Sequence, residues 1–329
     1  MTQPSLTTPF RIGDVTVANR VLLAPLAGIG NWFVRLQARR HGAGLAVSEM
    51  VSSIALSRGN RRTTEEMLRI HPDEHPVSVQ LFGSDADAMR EAAWIVAEAG
   101  ADLIDINLGC PVPKVCKTGA GAALLREPDR AIALARAAGA PGRPVTVKLR
   151  SGLVPGDRSG FDLAIRLVVE AGVAAVAFHP RPASTRHSGG PDYELAADLA
   201  HTLDAPVILS GGLQDARGAV AGYERSNAAA MMLARGALGN PWIFEEVLGR
   251  RDGPPTRDEI VEEIAWTVDR AEEHWGAERG CRNLRKLYPA YLERIGLRGP
   301  DADAFQRAPT LDDVRDMLAA QRQAAPVAA

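Results

Sequence analysis

Short apolar runs of β-forming residues recur along the first three quarters of the chain and alternate with stretches of helical spacing. The stretches with helical spacing include 87–99, 129–138, 161–171 and 193–203. Eight β-forming runs can be counted: RVLLAPLAG (20–28), LAVSEMV (45–51), PVSVQLFG (76–83), DLIDINLGC (102–110), PVTVKLRSG (144–152), AAVAFHP (174–180), PVILSGGL (206–213) and AAMMLARGAL (229–238). Strands that alternate with helices pair in parallel. Eight such units favour a (β/α)8 TIM barrel over the structural alternative, a doubly wound sheet.

Two segments outside this repeat complete the predicted organisation. FRIGDVTVANR (10–20) predicts a small hairpin that covers the barrel floor. A Gly/Pro-rich linker, GRRDGPPT (249–256), marks a change in composition. We therefore predict a barrel domain over residues 1–248 and a small all-helical domain over residues 249–329.

The predicted helical domain has three helices. Thr256 and Glu259 have the spacing of a capping box and start the first helix. The second helix covers 278–295 and is predicted to kink at Pro289, because proline removes a backbone donor. The third helix begins near Thr310, with apolar residues on one face.

Composition limits the class of protein. The 329 residues are 46% hydrophobic and 24% charged, with a formal net charge of −2, which is typical of a globular protein and announces no nucleic-acid partner. No apolar run approaches the ~18 residues of a membrane span, and the N-terminus lacks the pattern of a secretory signal. Three scattered cysteines form neither a disulfide framework nor a metal site. We expect a cytoplasmic protein with no metal, and a monomer because no exposed apolar seam is evident.

Polar residues cluster near the carboxyl ends of the predicted strands. Because side chains alternate in direction along a strand, Lys148 and Arg150 are predicted to point inward, opposite the apolar residues of PVTVKLRSG. The same alternation turns Gln80 and His179 inward, and Asn107 joins them. Each could be a satisfied interior polar group, but together at strand ends they indicate an active site. Lys148 is also one of only four lysines among 38 basic residues.

Two further features suggest the chemistry of this site. The last two strands end in SGG (210–212) and ARG (234–236), where small residues let backbone N–H groups approach a phosphate. A ligand with one phosphate and a flat ring, such as FMN, fits this arrangement. Cys110 follows the fourth strand on a Gly/Pro turn, where a thiol can act as a nucleophile or proton donor; a buried structural cysteine is the alternative.

Six motifs occur in order between residues about 10 and 248: RVLLAPLAG, SEM, VQLFG, DINLGCP with KTGAGAALL, VKLRSG and ARGALGNPWIF. Together they resemble the tRNA-dihydrouridine synthases, most closely the bacterial B-type branch. CRNLRKLYPAYLERIG (281–296) is similar to the RNA-binding helices of that family. The sequence departs from the family pattern in LAGIGNWFVR, at Ser210 and Ala234, and in PRPASTRHSGG after His179.

The resemblance implies which residues bind and react. Cys110, Lys148 and His179 would be the catalytic residues, with Cys110 as the proton donor, and Asn107 and Arg150 would contact the substrate. The residues implied to hold tightly bound FMN are Pro25, Leu26, Ala27, Gln80, Lys148, His179, Ser210, Gly211, Gly212, Ala234 and Arg235.

The implied activity is reduction of uridines in tRNA to 5,6-dihydrouridine. NADPH or NADH would reduce FMN, the flavin would deliver hydride to C6, and Cys110 would deliver the proton to C5. The target base must leave its stack to reach the site. Helical spacing places Arg282, Arg285 and Lys286 on one face that could grip the tRNA; a solvated helix face is the alternative.

Three other functions stay open from the residues. A flavin barrel could reduce a small molecule, as a dihydroorotate-dehydrogenase-like enzyme does. Lys148 could form a Schiff base in an aldolase-type barrel, which would be colourless. The barrel could also be a non-catalytic RNA-binding scaffold. A visible flavin spectrum distinguishes the first of these, together with the synthase, from the other two.

Overall fold

The computed structural model, which describes residues 3–323, begins with the predicted hairpin. Strand β1 (Phe10–Ile12) pairs antiparallel with β2 (Val15–Val17). The apolar side chains of the hairpin share one core cluster with residues that alternate inward on the barrel strands, among them Ala175, Ala177 and Ile208. The prediction that the hairpin covers the barrel floor is therefore confirmed.

Eight parallel strands form the closed barrel. They are β3 (Val21–Leu23), β4 (Leu45–Val47), β6 (Val77–Phe82), β7 (Leu103–Leu108), β8 (Val145–Arg150), β9 (Ala175–His179), β10 (Val207–Ser210) and β11 (Ala230–Leu233), and a short β5 (Val51–Ser52) pairs beside the end of β6. The last strand, β11, pairs with the first, β3, so the barrel closes. An open doubly wound sheet has two unpaired edges, so that alternative is wrong.

Helices surround these strands, and several of them begin at a side chain that caps the first N–H groups. They are α1 (Trp32–Arg40), α2 (Ser53–Ser57), α3 (Ala86–Glu98), α4 (Pro113–Cys116), α5 (Pro128–Ala138), α6 (Ser159–Ala171), α7 (Tyr193–Thr202) and α8 (Ala216–Ser226). Asn31, Asp85, Asp192 and Asp215 each accept a bond from the first turn of the helix that follows. The four stretches predicted to be helical correspond to α3, α5, α6 and α7. Shorter helical turns lie at Thr63–Met67, Pro72–Glu74, Gly121–Arg126 and Arg235–Ala237.

Strand register brings the predicted site residues side by side. Neighbouring residues in a parallel sheet that share a register position point to the same face. The pairs that matter are Gln80 with Asp105, Asn107 with Lys148, and Arg150 with His179. The inward directions predicted from alternation are therefore confirmed.

A second compact unit begins at Gly236. Its helices are α9 (Ile243–Val247), α10 (Arg257–Leu284), α11 (Tyr288–Leu292), α12 (Pro300–Arg307) and α13 (Leu311–Gln323), with a short turn at Glu293–Ile295. The predicted capping box at the start of α10 is present, with both reciprocal bonds between Thr256 and Glu259. The boundary predicted between 248 and 249 falls inside this unit, because α9 belongs to it.

The interior of the helical unit differs from the prediction in two ways. The chain leaves the helical conformation at Gly276, where φ is 74°. Helix α10 ends at Leu284 and a turn over 285–287 separates it from α11, so no single helix covers 278–295. The kink predicted at Pro289 is wrong, because this proline occupies the first turn of α11, where a missing N–H costs nothing. Helix α12 was not predicted. Within the described residues no helix is both long and apolar enough to span a membrane.

Candidate active site

A cavity of about 260 Å³ opens at the carboxyl ends of the barrel strands. The predicted residues that line it are Pro25, Ala27, Gln80, Asn107, Cys110, Lys148, Arg150, His179, Ser210, Gly211, Gly212, Ala234 and Arg235. Leu26 does not line it: this residue is 8% exposed, and its carbonyl accepts the N–H of Gly30 at 2.7 Å. The predicted residues therefore lie at the cavity, except Leu26, which does not line it.

The sequence analysis did not single out three residues that shape this region. Arg181 and His187 line the cavity from the segment after β9, the same segment that departs from the family pattern. Asp105 lies behind the cavity wall and is 3% exposed. The alternation that turned Asn107 inward also turns Asp105 inward, so this residue could have been found.

A chain of hydrogen bonds runs from Asp105 to the loop that carries Cys110. Thr146 Oγ1 donates to Asp105 Oδ1 at 2.6 Å, and Gln80 Nε2 donates to Asp105 Oδ2 at 2.6 Å. Asn107 Nδ2 donates to Gln80 Oε1 at 2.8 Å. Asn107 Oδ1 then accepts the backbone N–H of Cys110 at 2.9 Å and that of the preceding glycine at 3.2 Å. Asn107 was predicted to contact the substrate, but its side-chain oxygen accepts hydrogen bonds from the protein backbone.

The thiol of Cys110 lies in a half-buried position on the cavity wall. Burial raises the pKa of Cys110, and the neighbouring Cys116 adds to this, whereas Arg150 and Lys148 oppose it. The carbonyl of Cys110 accepts both the N–H of Ala122 at 3.0 Å and the Cys116 thiol at 3.4 Å. The backbone of Cys110 is therefore held in place, and its thiol is protonated near neutral pH.

Lys148 presents its ammonium group to the cavity from β8. Burial is the main reason that its pKa falls to about 8; Arg150 lowers it further, and Asp105 and Cys110 oppose the change. Among residues 3–323, no group forms a hydrogen bond or ion pair with its Nζ. A buried cation without a partner is costly, so this position suits a ligand with an anionic or hydrogen-bond-accepting edge.

Arg150 bonds to backbone carbonyls on both sides of the cavity mouth. Its Nε donates to Gly109 O at 3.2 Å, and its Nη1 donates to Pro182 O at 3.1 Å and Arg186 O at 2.7 Å. Burial, together with the nearby Arg181, lowers the pKa of Arg150 to about 10. The prediction made it a substrate contact, but these bonds tie the Cys110 loop to the segment after β9.

His179 and its neighbours form the other wall of the cavity. Burial, followed by the positive charges of Lys148 and Arg150, holds the pKa of His179 far below its usual value. Its Nε2 lies 3.4 Å from Arg181 Nη1, and its ring stacks on that of His187 with centroids 6.4 Å apart. Both rings are therefore neutral at pH 7, since burial also lowers the pKa of His187.

The ends of β10 and β11 supply free backbone donors. Gly211 and Gly212 have φ values of 97° and 83°, which glycine adopts without strain. A side chain at Gly211 would also collide with the His179 ring. In the described chain, the N–H groups of Gly211, Gly212 and Ala234 donate to no protein acceptor. These donors and the exposed Arg235 lie together at one corner of the cavity, an arrangement that suits an anion.

The basic residues predicted to grip RNA differ in exposure. Arg282, near the end of α10, is 61% exposed and lies 3.3 Å from Glu278. Lys286 is exposed beyond the helix end. Arg285 is half-buried, and its guanidinium donates to Ala308 O at 3.3 Å. The backbone of Arg285 keeps the right-handed helical conformation at the end of α10, so this contact inside the unit, and not a break in helical spacing, distinguishes Arg285 from the other two residues.

A closed barrel with a polar cavity at the carboxyl ends of its strands defines the chain as a TIM-barrel protein with an enzyme-type site. The sequence profile of the family described as dihydrouridine synthase matches residues 22–324. A tRNA-dihydrouridine synthase B of Xanthomonas campestris is 36% identical over 284 residues, 84% of this chain and 85% of that protein. A probable tRNA-dihydrouridine synthase of Mycobacterium tuberculosis is 37% identical over 324 residues, 93% of this chain and 81% of that protein. The chain therefore belongs to the dihydrouridine synthase family.

Solved structures with a similar fold are more distant in sequence. A morphinone reductase complex with tetrahydroNAD has a TM-score of 0.58 at 16% identity, covering 78% of this chain and 93% of that one. A 2-naphthoyl-CoA reductase complex has a TM-score of 0.61 at 13% identity, covering 75% and 52%. These similarities support the barrel fold.

Proposed function

We propose that this protein reduces uridines in tRNA to 5,6-dihydrouridine, with FMN bound in the cavity and NADPH or NADH as reductant. The observation that carries the proposal is the pairing of a protonated thiol, Cys110, with an unpartnered ammonium group, Lys148, on the walls of one cavity. Membership of the dihydrouridine synthase family and the names of the relatives support the same substrate. Because tRNA is the substrate, we place the protein in the cytoplasm.

The residues of the cavity fit a flavin mononucleotide. The free N–H groups of Gly211, Gly212 and Ala234, with Arg235, suit its phosphate. Lys148 suits the electron-rich edge of the ring, where it would balance negative charge. When bound and reduced, the flavin supplies the hydride that adds to C6 of the uracil.

Cys110 completes the addition across the 5,6-double bond. A general acid must hold its proton until the substrate needs it, and burial keeps the thiol of Cys110 in the protonated form. The bonds from its loop to Asn107 and Arg150 hold the thiol toward the cavity. We propose that Cys110 gives its proton to C5 and regains one from solvent.

His179 has a different part in the proposal. Burial and the neighbouring positive charges lower its pKa, so the ring is neutral at pH 7 and we assign it no proton donation. The neutral ring lies against the backbone at Gly211 and accepts from Arg181. We propose that it packs against the flavin and keeps the strand ends in place, so that it supports catalysis without proton transfer.

We propose that the second unit contributes to tRNA binding through the exposed side chains of Arg282 and Lys286. Phosphate contacts by such residues give affinity without base specificity. The target uridine must leave its stack to enter a cavity of about 260 Å³.

Two measurements test the proposal. The purified protein should show the visible absorption of bound flavin, which a Schiff-base aldolase and a bare scaffold lack. Nucleoside mass spectrometry of tRNA from a deletion strain should show less dihydrouridine, restored by the intact gene and not by a Cys110→Ala variant. Unchanged dihydrouridine in the deletion strain, in the absence of a second enzyme of this family, would refute the substrate.

A further inference from the structure

We propose that Asp105 is a positioning residue that fixes the direction of the amide groups of Gln80 and Asn107 and so holds the loop that carries Cys110. The inference rests on the proposed role of Cys110 in proton transfer. Asp105 is buried on β7, two residues before Asn107, and does not line the cavity. Its charge acts on Lys148, and it acts on the Cys110 loop through the residues it bonds.

The two ends of the hydrogen-bond chain permit one direction only. Burial raises the pKa of Asp105, whereas the hydrogen bonds from Gln80 and Thr146 and the charge of Lys148 oppose this rise and favour the carboxylate. The carboxylate accepts hydrogen bonds, and the backbone N–H of Cys110 donates one. Gln80 must therefore turn its NH2 group to Asp105, which leaves its oxygen for the NH2 group of Asn107. Asn107 then has only its oxygen left to face the loop, where it accepts the N–H of Cys110.

This direction matters because an amide group can flip at little cost unless its partners forbid it. If Gln80 flipped, its oxygen would face the Asp105 carboxylate and its NH2 group would face that of Asn107, so both contacts would become repulsive. Thr146 occupies the other oxygen of Asp105 at 2.6 Å, so the carboxylate cannot turn away. The buried carboxylate thus orients the site at a distance of two side chains from the thiol.

A swap of the acid and the amide tests the direction. Asn107→Asp still accepts from the loop but cannot donate to Gln80, which is then caught between two carboxylates. Adding Asp105→Asn supplies a new donor at the far end, so Gln80 can flip and both of its bonds form again with donor and acceptor exchanged, while the bonds from Thr146 and from the Cys110 N–H keep their direction. The matched control is Asp105→Leu in the Asn107→Asp background, which removes the same charge but gives Gln80 no donor.

We expect Asn107→Asp to lower kcat per bound flavin about tenfold, within the range of coupling between contacting groups, with the KM for tRNA unchanged. The Asp105→Asn double variant should regain most of this loss, and the Asp105→Leu double variant should not. The rate of Cys110 alkylation by iodoacetamide should increase with Asn107→Asp, because the loop is held less firmly. It should return to the wild-type rate in the Asn107→Asp, Asp105→Asn double variant. Ser78→Ala, which alters a buried β6 hydroxyl with no partner in the described chain, should leave both readouts unchanged.

Two outcomes would overturn the proposal. If the leucine and asparagine double variants recover equally, relief of charge and not bond direction explains the rescue. If neither double variant regains kcat, the hydrogen-bond chain from Asp105 does not control the position of the Cys110 loop. The alkylation rate reports on this series even if the wild-type protein fails to reduce tRNA, so failure of the proposed function is recognised separately.

Discussion

Lys148→Met should change how the stability of the flavin-free protein depends on pH. In the folded protein, burial brings the pKa of Lys148 from 10.5 down to about 8. The unfolded chain therefore holds this proton more strongly, and protonation at neutral pH favours unfolding. The penalty is full below pH about 8 and disappears as the pH rises past about 10.5. At about 1.36 kcal/mol per pKa unit, it amounts to about 3.4 kcal/mol.

The assay is chemical denaturation of the wild type and of Lys148→Met from pH 7 to pH 10.5. The free energy of unfolding of the variant should exceed that of the wild type most at pH 7, and the gap should narrow by about 2–3 kcal/mol toward pH 10.5. Lys286→Met, at an exposed position, is the control and should show no such trend. A gap that stays constant with pH would refute the burial of an unpaired ammonium group. Bound flavin should abolish the trend by giving Lys148 a partner.

Four further changes test other parts of the structure. Cys110→Ala should keep bound flavin and its reduction by NADPH but lose most tRNA reduction; normal turnover would remove its assigned role. Arg150→Lys keeps the charge but cannot reach three carbonyls, so the free energy of unfolding should fall by about 2–4 kcal/mol. Arg186→Lys, at an exposed side chain nearby, is the control and should change it little. Equal effects of the two substitutions would show that the bonds from Arg150 to the three carbonyls do not stabilise the fold. Glu74→Gln breaks the buried 2.6 Å pair with Arg35 and should cost about 3–5 kcal/mol, whereas Glu65→Gln, in an exposed pair, should cost about 0.5 kcal/mol or less. Charge reversal of Arg282 and Lys286 should weaken tRNA binding and lower its salt dependence by about two phosphate contacts, with Arg307→Glu as the exposed control; an unaltered affinity would exclude these residues from the RNA contact.

The barrel could be predicted from sequence because each strand and helix carries its own pattern. Period-two alternation placed Lys148, Arg150 and His179 correctly, since the inner face of a closed barrel is fixed for every strand. The capping box could be predicted for the same reason, because it involves only Thr256 and Glu259, three residues apart. Features that depend on a few neighbouring residues were therefore within reach of the sequence.

The partners of these side chains could not be predicted in the same way. Arg150 points inward as expected, but its bonds go to carbonyls that two separate loops bring to it. Arg181 and His187 enter the cavity because the segment after β9 folds back, and no periodicity encodes that path. The same holds in the helical unit, where Arg285 bonds to Ala308 O, a residue 23 positions further along the chain that helical spacing does not reveal.

The hairpin of β1 and β2 has a consequence for the order of events. Its apolar side chains fill the barrel from the amino end, so reactants reach the ring of strands from the opposite rim. Under the proposed function, a nicotinamide donor and a tRNA would use the same entrance one after the other. We therefore expect steady-state kinetics of the ping-pong type, in which the first product departs before the second reactant arrives.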